Sequence, residues 1–80
     1  MAKVIPLPPY AGDFFGGRGE VEVAAGSLFA LVRALDALSP GFAEAAEGAA
    51  LAVNGVIAGD WTTPLSEADE VMIVPKVAGG

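Results

Sequence analysis

Ala50-Leu51-Ala52-Val53-Asn54-Gly55-Val56-Ile57-Ala58 reads as one β-hairpin. Two apolar runs flank Asn-Gly, the preferred pair for a two-residue type I′ turn, because both central residues need positive φ. Downstream, Val71-Met72-Ile73-Val74 is apolar at every position, which suits a central strand covered by a helix. Upstream, Ser27 is a good N-cap, and Leu28, Leu31, Val32, Leu35 and Leu38 follow at helical spacing as one apolar stripe. Arg33 and Asp36 fall largely on the other side. Ser39-Pro40-Gly41 ends this helix, since the residue before proline avoids helical angles and glycine supplies a stop. Such a leucine stripe is a core face far more often than a ligand groove.

The remaining segments fit around that frame. Residues 42–47 read as a short second helical turn or an ordered connection, with Glu44 and Glu47 solvated. Residues 3–8 read as a first strand, although Pro6 has no N–H for a ladder and belongs at an edge, strand end or bulge. Residues 9–19 read as a loop from their glycine and proline density. Its Phe14-Phe15 pair folds back onto the core or forms an exposed contact, the former being favoured. Gly16-Gly17-Arg18-Gly19 lacks the Lys-Ser/Thr ending of a phosphate loop and the spacing of a dinucleotide fingerprint. Residues 20–23 alternate polar and apolar, as a half-buried strand does, and pair with the first strand in a hairpin. Residues 59–68 connect, with Trp61 a lid on one edge of the core or an exposed contact, the former being favoured, and Ser66 to Asp69 a tight turn. Glu67, Asp69 and Glu70 lack calcium-loop spacing and read as a solvated turn, not a metal site. The sum is an α+β two-layer fold, a mixed five-stranded sheet with one main helix packed across it.

Composition limits the chemistry. An 80-residue chain makes one small domain that buries about 60% of its unfolded surface. Its 54% hydrophobic content is globular, yet no apolar run approaches a membrane span and no signal-peptide pattern opens it, so a cytoplasmic location is expected. The absence of cysteine excludes disulfides, thiolate catalysis and cysteine-ligated metals. Without histidine, or a hydroxyl beside a base, a stand-alone enzyme is disfavoured. Lys3, Arg18, Arg33 and Lys76 are scattered among ten carboxylates, giving a net charge of −6, which disfavours nucleic acid. An acidic surface suits a protein partner with a basic docking face, or serves solubility alone. If the chain takes part in covalent chemistry, the most suitable group is the α-carboxylate of Gly80, because Gly79-Gly80 has no Cβ and passes a narrow slot. On the dipeptide alone a frayed terminus is the favoured reading.

Val53-Asn54-Gly55, Thr63-Pro64-Leu65 with Asp69-Glu70-Val71, and the ending Pro75-Lys76-Val77-Ala78-Gly79-Gly80 stand in register over residues 27–80. In these features the chain resembles the MoaD/ThiS sulfur-carrier family, which has the ubiquitin-like β-grasp fold. It departs at Ala68, where the family commonly has glycine, at Lys76, where molybdopterin-type members often have a second proline, and through the N-terminal third. The ending looks closest to the small subunit of molybdopterin synthase. The resemblance implies a single β-grasp domain over 1–80 with a flexible diglycine tail from about residue 76. It implies a carrier and cosubstrate without catalytic residues of its own, and with no bound cofactor. An E1-like enzyme would adenylate the Gly80 carboxylate with ATP, and a sulfur donor would convert it to a thiocarboxylate. Lys76, Val77, Ala78 and Gly79 would contact the partner, the large subunit of molybdopterin synthase or an equivalent acceptor. Other outcomes stay open: a carrier for the thiamin thiazole, cysteine or a specialised metabolite, a ubiquitin-like modifier, or a noncovalent β-grasp binding module.

Overall fold

A computed structural model describes residues 1–76 of the chain. Its elements are β1 (Ala2–Pro6), α1 (Tyr10–Phe14), β2 (Val21–Val23), α2 (Leu28–Leu38), α3 (Phe42–Ala46), β3 (Ala49–Val53), β4 (Val56–Ile57) and β5 (Glu70–Pro75). The strands form one five-stranded sheet in the order β2-β1-β5-β3-β4. The apolar run Val71 to Val74 is the central strand, parallel to β1 and antiparallel to β3. Asn54 and Gly55 take φ of 50° and 86°, the positive values that the two-residue turn requires.

Period-two alternation divides the sheet. Val4, Val21, Val23, Leu51, Val71 and Ile73 point to one face and are buried there beneath Leu28, Leu31, Val32 and Leu35 of α2. Leu38, expected in the same stripe, is instead 65% exposed, because the last turn of α2 is not covered by the sheet. The helix begins as expected: the Ala30 N–H donates to the Ser27 hydroxyl at 3.1 Å. Its first donors have partners that the sequence pattern does not reveal. The Leu28 N–H donates to the Thr63 carbonyl at 3.0 Å and the Phe29 N–H to the Trp61 carbonyl at 2.8 Å. The connection from 59 to 68 therefore runs along the helix start, bridging Ser27 to Pro64, and satisfies N–H groups that no intrahelical carbonyl can reach. Trp61 lies half-buried against the core, its ring 6.4 Å from that of Phe29.

Three expectations need correction. β1 ends at Pro6, not at residue 8, and residues 10–14 form helix α1 within the segment read as loop. The cause is tertiary. Phe15 is buried and Phe14 packs on the core, with ring centroids 5.3 and 5.5 Å from that of Phe42. Docking this aromatic pair holds a helical turn that the glycines would not hold alone. β2 likewise starts at Val21, one residue later than read. Pro6 fits inside β1 because its missing N–H faces β2, whose last pairing is Val21 with Val4.

The turn between α2 and α3 fixes Phe42. Gly41 has φ of 99°, open to glycine, and Asp36 Oδ1 accepts from the Gly41 and Ala43 N–H groups at 3.1 and 2.9 Å. Phe42 is fully buried at the centre of the aromatic group. Replacing it (Phe42→Ala) is expected to cost about 3–5 kcal/mol, a large share of a small domain's stability. Urea unfolding followed by Trp61 fluorescence checks this.

Candidate functional site

The end of β5 is where the fold delivers the chain to its last residues. Lys76, the last described residue, is exposed and follows Pro75, which pairs with Ala49 of β3. The other expected site residues, Val77, Ala78, Gly79 and Gly80, lie outside the described residues. The structure thus places the root of the expected site and one of its members.

The sheet face opposite α2 leads to that root. Ile5, Met72, Ala52 and Ile57 stand in register across four strands as one apolar row. Ala50 and Val74 form the next row toward Lys76, which has the same strand parity as Met72 and Val74. Ile57 at the β4 edge is 59% exposed on this face, while Val56, 69% exposed, pairs with Val53 and falls on the other. At the far end Glu22, Lys3 and Glu70 stand side by side, and Lys3 Nζ lies 3.8 Å from Glu20 Oε1. The face is therefore charged where β5 begins and apolar toward the chain's exit. The sequence hid this surface because Val71 to Val74 is apolar on both faces, so periodicity could not separate core from exterior.

The start of β5 is fixed by a polar bridge. Asn54 Nδ2 donates to Asp69 Oδ1 at 3.0 Å, and the Glu70 N–H donates back to Asn54 Oδ1 at 2.9 Å. The Ser66 N–H donates to Asp69 Oδ2 at 2.8 Å, closing the turn expected from Ser66 to Asp69. Asp69 Oδ2 holds the Ser66 backbone and Oδ1 the Asn54 side chain, which agrees with a structural turn. Among the described residues no group of three acidic or imidazole or thiol side chains is placed to hold a metal. The Ser66 N–H, then the Asn54 amide, hold the Asp69 carboxyl below its ordinary range. Thr62 does the same for Asp60, first through its hydroxyl and then through its N–H. Asp69 immediately precedes β5, at the end opposite its exit, and Asp60 lies in the connection between β4 and β5.

Architecture and exit together define the class: a ubiquitin-like β-grasp domain whose central strand ends in a diglycine-terminated segment. The model of the ThiS family matches residues 13–80, and the chain belongs to that family. It is a sulfur carrier of the ThiS/MoaD type. No curated protein matches the sequence at a significant level. Among solved structures it is similar to CysO of Mycobacterium tuberculosis, described as an antigen, with a TM-score of 0.83 and 22% identity over 96% of this chain and 100% of that one. A chain of the Amycolatopsis orientalis BexX/CysO complex is similar at TM-score 0.81 and 20% identity, covering 100% of both chains. A chain of the complex between subunits 1 and 2 of the molybdopterin-converting factor of Helicobacter pylori is similar at TM-score 0.69 and 25% identity, over 99% of this chain and 97% of that one.

The Asp69 bridge gives a pH dependence with a defined sign. Its folded pKa lies below the unfolded value, so its contribution is complete above the ordinary value of 3.8 and is lost as pH falls through the lowered folded value. Asp69→Ala is expected to lower the urea midpoint at neutral pH, and the gap to wild type is expected to close as the medium is acidified through that range. Urea titrations at a series of pH values read both effects.

Proposed function

We propose that this chain carries sulfur on the terminal carboxylate of Gly80. The observation that carries the reading is the ThiS-family match running through Gly79-Gly80, joined to a central strand that leads the chain toward them. A carboxylate is a poor electrophile. An E1-like enzyme would join a Gly80 oxygen to the α-phosphorus of ATP, with pyrophosphate leaving. Hydrosulfide released from a sulfur donor then attacks the acyl carbon, AMP departs as the C–O bond breaks, a proton is lost, and Gly80 holds a thiocarboxylate. Gly79 lets the backbone pass a constriction in the partner, and Lys76, Val77 and Ala78 contact its groove. The apolar row Ile5, Met72, Ala52 and Ile57 supplies the docking face, since it continues toward the same exit.

For the acceptor we propose the large subunit of a molybdopterin synthase. The ending Pro75-Lys76-Val77-Ala78-Gly79-Gly80 and the likeness to the subunit 1 and 2 complex of a molybdopterin-converting factor support that branch. The cytoplasm is the location in which this chemistry is proposed.

Intact mass after incubation with the E1-like enzyme, ATP and a sulfur source tests the carrier role. The expected result is a gain of one oxygen-to-sulfur exchange, mapped to Gly80 and absent in a variant lacking Gly80 that keeps the wild-type unfolding midpoint. An unchanged wild-type mass with an enzyme active on its own carrier would overturn it. The charged protein, offered separately to molybdopterin synthase large subunit and to a cysteine-forming acceptor, is expected to lose its sulfur to the first.

A further inference from the structure

Asn54-Gly55 is the pair in this chain most open to spontaneous backbone chemistry, and the fold ties its reacting side chain down. Asparagine before glycine can lose its side-chain amide to attack by the next backbone nitrogen, because glycine has no Cβ to shield that nitrogen. Asn54 is the one asparagine in the chain, glutamine is absent, and no aspartate precedes a glycine. Asn54 and Gly55 are both exposed, so water reaches them. Val53 pairs with Val56 around the turn, which leaves the Gly55 N–H outside the ladder. The Asn54 side chain, in contrast, is held. Its Nδ2 donates to Asp69 Oδ1 at 3.0 Å, and its Oδ1 accepts from the Glu70 N–H at 2.9 Å. The Asn54 N–H donates to the Glu70 carbonyl at 2.8 Å, so main chain and side chain grip the same residue. Asp69 is held in turn by the Ser66 N–H at 2.8 Å.

We propose that Asn54 is a deamidation site that this clamp keeps closed, and that its reaction unlatches the start of β5. The Gly55 nitrogen attacks Asn54 Cγ: the N–Cγ bond forms, the Cγ–Nδ2 bond breaks, and ammonia leaves with the former Gly55 hydrogen. Water then adds to the cyclic imide. Opening at Cγ leaves aspartate at position 54, and opening at the main-chain carbonyl leaves an isoaspartyl link. For the first step Cγ must come over the Gly55 nitrogen, and two hydrogen bonds to the start of β5 resist that movement. Only the open fraction reacts, and a bond to a charged acceptor weights the closed state by about tenfold. After reaction nothing at position 54 donates to Asp69 Oδ1. A bond of 3.0 Å becomes a contact of two carboxylates, whose like charges repel. The isoaspartyl link also adds a methylene to the main chain of a turn whose length fixes the β3–β4 register. The site is independent of the chemistry at Gly80.

The test incubates the full chain at neutral pH and follows intact mass for replacement of the amide NH2 by OH, mapped to Asn54 by peptide mass. Wild type in urea above its unfolding midpoint gives the unclamped rate. Folded wild type is expected to react at least about tenfold more slowly, and folded Asp69→Ala about tenfold faster than folded wild type. Val32→Ala, which thins the buried core under α2 away from the clamp, is expected to keep the wild-type rate. Asn54→Asp, which has the sequence of the direct product, is expected to unfold at lower urea than wild type. Equal rates for folded and unfolded wild type would overturn the proposal, and that comparison needs no variant. So would a wild-type rate in Asp69→Ala or a wild-type urea midpoint in Asn54→Asp. A Val32→Ala rate as fast as that of Asp69→Ala would assign the protection to global stability and overturn the clamp.

Discussion

Everything in this domain depends on the central position of its last strand. β5 pairs with β1 on one side and β3 on the other, so its insertion joins the N-terminal hairpin to the β3–β4 hairpin. Val71 and Ile73 are fully buried under α2, and neither β1 nor β3 reaches the other without β5 between them. Lys3 pairs with Glu70 across nearly the whole chain, which makes sheet closure a long-range event with a large loop-closure cost. The domain meets that cost with apolar packing, having no disulfide to assist it.

That same placement ties the chain's exit to the core. The strand that closes the core is the strand that leads to Lys76, so the exit is anchored on the most buried part of the sheet. The Asn54–Asp69–Ser66 bridge fixes the strand's beginning, and the pairing of Pro75 with Ala49 marks its end. Between them, alternation puts Val71 and Ile73 inside and Met72 and Val74 on the open face. One strand therefore builds the core, the open apolar face and the exit.

The aromatic group around Phe42 shows how the atypical N-terminal third is accommodated. Pro8, Pro9 and the glycines after Phe15 leave little room for regular pairing, and the chain turns into α1 straight from the Leu7 carbonyl. Phe14 and Phe15 then reach Phe42, which the Gly41 turn and the Asp36 cap hold in place. These rings anchor the segment between β1 and β2 on the core beside α3.

The sequence by itself determined what local physics can write. Asn54-Gly55 specified its turn through positive φ, Ser27 and the leucine spacing specified α2, and Val71 to Val74 specified a covered strand. It also carried the diglycine and the motifs shared with sulfur carriers. Only the tertiary structure decided where Leu38 and the Phe14-Phe15 pair lie, since burial depends on which neighbour arrives and not on spacing. It likewise decided which face of β5 is open, because a run apolar at every position has no period to read.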